Sequence, residues 1–109
     1  MSIRNRKEGY KLMSLHILSY TKNMEFRNKI VEFDKIKETI EILKDYDINI
    51  SYITEVKEDN TEVKRLLGIY KRTNKQSLKW KYGNEIERTS ISLGNKPMTV
   101  DEFLRRNNI

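Results

Sequence analysis

The sequence predicts a small α+β domain: an antiparallel sheet of about four to five strands with one central helix and a short C-terminal helix. Three observations lead there. The hydrophobic period changes from about 3.6 to about 2 residues once the chain passes Asp47. Short strand-like runs then alternate with polar turns. Near the C-terminus, Thr99 followed by Glu102 reads as a capping box that opens a last helix.

Taken in order, Leu12 to Tyr20 is mostly apolar with Ser14, His16 and Ser19 interspersed, which suits a buried or edge strand. Lys29 to Phe33 reads as a short extended partner for it, and Asp34 offers an N-cap side chain to the next helix. That central helix runs from about Lys35 to Tyr46. Ile36, Ile40 and Leu43 recur at i, i+4 and i+7, while Lys37, Glu38, Glu41, Lys44 and Asp45 take the wet face.

Beyond it, Ile48, Ile50, Tyr52, Thr54 and Val56 fall on one face of a half-buried strand and Asn49, Ser51 and Glu55 on the other, Ile53 excepted. Lys57-Glu58-Asp59-Asn60 is a polar turn. Val63 to Lys71 and Leu78 to Tyr82 read as two strands joined by a hairpin loop at Arg72–Gln76, and Gly83-Asn84 turns into a further strand, Ile86 to Leu93. Gly94-Asn95 and Pro97 end the sheet. In the last helix Met98 can staple onto Phe103, with Val100, Phe103 and Leu104 facing inward, so both helices are expected on one sheet face.

At 109 residues the chain falls within one domain by the usual prior of roughly 100 to 200 residues. Residues 13–109 are assigned to that domain and 1–12 to a leader that is disordered or not native, with Met13 as an alternative start. Hydrophobic residues make up 37% and charged residues 35%, against about 45 to 50% and about 25% in typical domains. The core is therefore thin. No run approaches the roughly 18 apolar residues of a membrane span, and no cleavage site follows the basic N-terminus, so a cytoplasmic protein without a membrane partner is expected. Richness in Lys, Ile and Asn suggests a compact low-GC genome of phage or mobile-element type.

Composition also removes much chemistry. With no cysteine and a single histidine, the chain holds no disulfide framework, thiolate zinc site, Cys nucleophile or serine triad with a spare histidine. His16, in an apolar run, reads as a structural residue. The glycines at 9, 68, 83 and 94 are isolated, so no phosphate-binding loop is present. No catalytic residue, metal ligand or cofactor is expected, and the protein is read as non-enzymatic.

What remains is charge. The net charge is +6, distributed as +4 over residues 1–22, −4 over 23–60 and +6 over 61–109. Lys64, Arg65, Lys71, Arg72, Lys75, Lys79 and Lys81 lie within 18 positions that hold no acid, interleaved with Tyr70, Trp80 and Tyr82. In a strand, Lys79 and Lys81 would face away from Leu78, Trp80 and Tyr82, giving the sheet a basic face that can neutralise phosphates. The plainer alternative is that the aromatics are core and the lysines solvate an outer face or blunt an edge strand. Arg105 and Arg106 either extend the patch or complement the dipole of the last helix.

The strand, strand, strand, helix order of the C-terminal half loosely resembles the arm-binding domains of tyrosine recombinases, and the helix, three strands, helix order loosely resembles a double-stranded RNA-binding domain. Neither resemblance rests on a motif, and no residue role is taken from either. The leading reading is a small basic binding protein that engages a nucleic-acid backbone, duplex before single strand because the alternation buries Trp80, and DNA before RNA. The alternatives are a phage-type inhibitor of a host nucleic-acid-processing or defence enzyme, acting by protein–protein binding, and sequestration of a small phosphorylated nucleotide. An oligomer is compatible with each.

Overall fold

The computed structural model describes residues 13–109, so the leader assigned to residues 1–12 lies outside the described residues. Among these, three strands form one antiparallel sheet in the order β2-β1-β3, with β1 at Leu15–Lys22, β2 at Glu25–Glu32 and β3 at Ile50–Glu55. β1 and β2 are a hairpin in register from Leu15–Glu32 to Lys22–Glu25. Its two-residue turn, Asn23-Met24, holds both residues at positive φ, 51° and 66°, as a type I′ turn requires.

A 3-10 turn, Phe33–Lys35, then leads into α1, Ile36–Asp45, which carries the chain back to β3 on the far side of β1. Its buried residues are Ile36, Ile40 and Leu43, as their spacing predicts. Asp34 is not the cap. It lies inside the 3-10 turn, and Lys35 takes the N-cap position without a side-chain bond.

β3 departs from the predicted alternation. Ser19 pairs with Tyr52 but the next residue, Tyr20, pairs with Ile50, so Ser51 is an extra residue in β3. Such a bulge reverses side-chain parity. Tyr52 and Thr54 therefore share one face, while Ile48 and Ile50 join Tyr20 and Leu43 on the other. Ile53, the exception in the sequence pattern, is 1% exposed in the second cluster below, and its backbone pairs with Met98, which closes part of the outer edge of β3.

The expected strands at Val63–Lys71, Leu78–Tyr82 and Ile86–Leu93 are helices. α2 spans Thr61–Arg72 and α3 spans Gln76–Ser92, joined by Thr73, Asn74 and Lys75; α4 is Val100–Arg106. Asn60 caps α2, its side-chain oxygen accepting from the Glu62 and Val63 amides at 2.9 and 3.2 Å. From there Val63, Leu66, Leu67 and Tyr70 recur at i, i+3, i+4 and i+7 and pack inward. The strand count drops from four or five to three, and the element orders that resembled the recombinase and RNA-binding domains are absent. Thr99 does cap α4, accepting from the Glu102 amide at 3.2 Å.

Helices cover both sheet faces, not one. Successive strand residues point to opposite faces, and Ile17 joins Val56, Val63, Leu66, Leu67 and Ile86 under α2 and α3, whereas Leu18 joins Ile36, Ile40, Ile53 and Phe103 under α1 and α4. No helix among the described residues is long and apolar enough to cross a membrane.

Candidate functional site

The basic window folds into a helical hairpin. Lys71 and Arg72 end α2, Lys75 lies in the connection, and Lys79 and Lys81 fall in the first two turns of α3, so five cations collect around one end of the hairpin. Lys71, Arg72, Lys75 and Lys81 are exposed. At the end of α2 the cations complement the helix dipole, but at the start of α3 they oppose it. That first turn carries no acidic residue, and its N-cap, Lys75, makes no side-chain cap bond. At the start of α3, therefore, positive charge stands where local helix electrostatics disfavours it.

The other predicted residues divide by what they touch. Arg65 is held by the Glu62 carboxylate through Nε at 3.0 Å and Nη2 at 2.5 Å, which keeps the Glu62 carboxyl below its ordinary pKa. Its charge is largely compensated. Lys79 is half-buried: its Nζ donates to the Tyr70 carbonyl at 2.9 Å and lies 4.2 Å from the centre of the Tyr70 ring. It ties the start of α3 to the end of α2. Tyr70 is itself partly buried, and desolvation raises its phenol pKa, partly opposed by a backbone hydrogen bond at Ile30. Lys64 is exposed nearer the other end of α2. Arg105 and Arg106 end α4, on the opposite sheet face, and Arg106 pairs with Glu102 at 3.5 Å, so neither belongs to this cluster.

Trp80 is neither core nor free. Half-buried on α3, it carries the Arg27 guanidinium of β2 at 4.6 Å from its ring, a cation–π stack, and Lys81 lies 6.0 Å from the Tyr82 ring. The helix lies tight on the strand here. An added Cβ at Gly83 would sit 2.0 Å from the Asn28 side-chain oxygen, and the Asn28 amide donates to the Trp80 carbonyl at 2.8 Å. The duplex preference rested on a strand that buries Trp80, and that premise is gone.

Sequence reasoning missed a neighbouring surface. Phe26 is 84% exposed and Tyr52 51% exposed. Both face the α3 side of the sheet, because Phe26 stands two residues from Asn28 and Tyr52 pairs with Ser19. The signal was the Asn23-Met24 turn: starting β2 at Glu25 rather than Lys29 brings Phe26 onto the sheet. α3 crosses the hairpin at the Ser19–Asn28 pair, its Trp80 beside Asn28 of β2 and its Glu87 accepting from the Ser19 hydroxyl of β1, and the face beyond that pair, toward the hairpin tip, leaves Phe26 and Thr21 exposed. A cavity of ≈ 300 Å³ lies there between Phe26, Tyr52, Asn84 and Arg88, and one of ≈ 340 Å³ between Phe26, Ser77, Trp80 and Lys81.

Another cavity, of ≈ 320 Å³, lies at the far end of the sheet beside His16, Glu55 and Lys96. Its cations Lys96 and Arg106 both lean on Glu102, at 3.7 and 3.5 Å. His16 is buried, its Nδ1 3.3 Å from the Ser14 carbonyl and its ring against Phe33 and Phe103, a packing position. Among the described residues no group of three or more His, Cys, Asp or Glu side chains is placed to hold a metal ion. No protein-family model, no curated protein and no solved structure matches the chain, and the site is argued on its geometry.

Proposed function

We propose that the protein is a non-enzymatic binding module, of phage or mobile-element type, that engages the phosphate backbone of a nucleic acid through the connecting end of the α2–α3 hairpin. The observation that carries this is the gathering of Lys71, Lys75 and Lys81, exposed and without a carboxylate partner among the described residues, around the connection and the uncapped start of α3, with the Arg72 guanidinium laid back along α2 beside Gly68. Lys71 and Arg72 complement the dipole of α2, but Lys75 opposes that of α3, and like charges brought this close repel one another, so the cluster as a whole is not explained by the fold. Each phosphate it neutralises releases condensed counterions, and this supplies affinity without sequence readout.

The test is a Lys71→Gln, Lys75→Gln, Lys81→Gln variant, which spares Lys79 because that side chain holds the hairpin together. Exposed sites of this kind each change stability within about 0.5 kcal/mol, so the variant stays folded. Its affinity for nucleic acid falls, and the slope of log affinity against log salt shrinks by roughly 0.9 per lost contact on a duplex and roughly 0.7 on a single strand. A folded variant with unchanged affinity and slope overturns the reading. Purification from the native host with and without nuclease separates it from the inhibitor alternative: a stoichiometric protein that survives nuclease supports the inhibitor.

A further inference from the structure

We propose that the uncovered end of the sheet beside α3 is a stacking platform for unpaired bases, so that the nucleic acid is single-stranded where it crosses this face. The inference deepens the backbone-binding reading and rests on it. Phe26 and Tyr52 are its two rings, held by β2 and β3 on either side of β1. Two strand spacings and a two-residue offset put them about 10 to 12 Å apart.

Their exposure has no role in the core. Phe26 appears in none of the three hydrophobic clusters, and an exposed aromatic on a solvated strand face leaves apolar surface in water where a polar residue would stand at no cost to packing. Beside the rings, Thr21, Ser51 and Asn84 line the same cavity with hydroxyl and amide groups that can hydrogen-bond a base.

Charge complementarity selects the occupant. Arg88 borders the cavity beside Tyr52, and Lys81 borders the one beside Phe26, where Arg27 already lies across Trp80. Two carboxylates also line these cavities: Glu25 is paired with Arg27 at 3.6 Å, while Glu87 accepts from the Ser19 hydroxyl and keeps its charge beside Arg88, so the excess of positive charge lies on the Lys81 side. Through Ser77 and Lys81 the second cavity runs into the first turns of α3, so phosphates held by Lys75 and Lys81 place the attached bases beside Phe26. Rings for bases next to cations for phosphates is the combination that sequence-tolerant single-strand binding uses. A duplex, whose bases are stacked inside it, gains nothing from the rings.

The experiment measures fluorescence anisotropy of labelled oligo-dT and of a labelled duplex of equal length, using the full chain. Wild type binds the single strand more tightly. Phe26→Ala and Tyr52→Ala each weaken single-strand binding by about 5- to 100-fold and leave duplex binding unchanged, whereas the three-lysine variant weakens both. Phe26→Tyr restores the affinity, and oligo-dT changes the fluorescence of Trp80, the sole tryptophan. Phe26 is so exposed that its variants keep the wild-type melting transition. Equal binding of both probes with no loss in Phe26→Ala overturns the platform while the backbone reading stands. Failure of wild type to bind either probe overturns both. A nuclease-resistant host protein released by Phe26→Ala also overturns it, in favour of a protein-binding surface.

Discussion

On the face carrying α1 and α4, Leu18, Ile36, Ile40, Ile53 and Phe103 close the sheet by aliphatic and aromatic packing. On the face carrying α2 and α3, the aliphatic cluster around Ile17 and Ile86 continues into a polar seam. The Asn28 amide reaches the Trp80 carbonyl at 2.8 Å, the Ser19 hydroxyl reaches Glu87, the Lys57 amide reaches Ser90 Oγ at 3.1 Å and the Asn95 amide reaches the Glu55 carbonyl at 2.7 Å. Hydrophobic burial is non-directional, whereas hydrogen bonds fix an angle and a register. The seam holds α3 across the hairpin at the Ser19–Asn28 pair, and that placement leaves the Phe26 end open. The difference teaches that both faces supply stability through buried apolar clusters, while the face under α2 and α3 adds the directional contacts that set geometry.

The largest effects should come from the two apolar clusters, and they test whether both faces are core. Ile40→Ala under α1 and Ile86→Ala under α3 each cost about 2 to 5 kcal/mol in denaturant unfolding. A small loss at Ile86 with a large one at Ile40 would show that only one face bears the load.

A smaller, more specific effect belongs to the seam. Gly83→Ala gains about 1 kcal/mol in helix propensity, yet its Cβ would meet the Asn28 side chain at 2.0 to 2.9 Å, and overpacking of this kind costs about 1 to 3 kcal/mol. The net change is destabilising. Because the two sites touch, Asn28→Ala combined with Gly83→Ala should cost less than the sum of the single changes. Additive losses would mean that α3 does not rest on Asn28.

Within the basic cluster, Lys79→Met removes the bond to the Tyr70 carbonyl and costs about 1 kcal/mol, while Lys75→Met stays within about 0.5 kcal/mol. Equal losses would erase the distinction between the lysine that holds the hairpin and those that face water. The smallest effect is alkaline. Burial raises the Tyr70 phenol above its ordinary value of 10.0, so the folded state favours the protonated form. Its contribution is complete below that value and is lost as pH rises through the folded pKa. Tyr70→Phe should flatten the fall in melting temperature on the alkaline side.

How far the sequence could be read follows the same division. α1 was legible because its buried side is three large aliphatics in an otherwise charged segment, and β1 because an apolar run of that length suits a buried strand. α2 carried a full helical stripe after an Asn cap, but Val63, Ile69 and Tyr70 are also strand formers and the polar turn before them suggested another hairpin. α3 hid more completely. Its buried residues are Gly83, Ile86 and Ser90, a face with one aliphatic, while the visible alternation of Lys79, Trp80, Lys81 and Tyr82 mimics a strand. The basic cluster was legible as composition, since charges stay near one another whether the segment is strand or helix. The open aromatics were not, because exposure of Phe26 and Tyr52 depends on the path of α3, which polar contacts distant in sequence set.

β1 lies between its two partners, and β2 and β3 touch only through it. The hairpin with β2 closes over two residues, a local event on the microsecond scale of isolated hairpins, at about 1 to 10 μs, while β3 must wait for the chain through α1 to return, at a loop-closure cost that grows only slowly with length. Without β1 these strands retain no pairing, so the sheet has no partly assembled form that keeps two strands and discards the central one. Loss of β1 therefore dissolves the whole sheet at once, whereas loss of β3 leaves the β1–β2 hairpin paired, and because Phe26 stands on β2 and Tyr52 on β3 the pair of exposed rings is lost in either case.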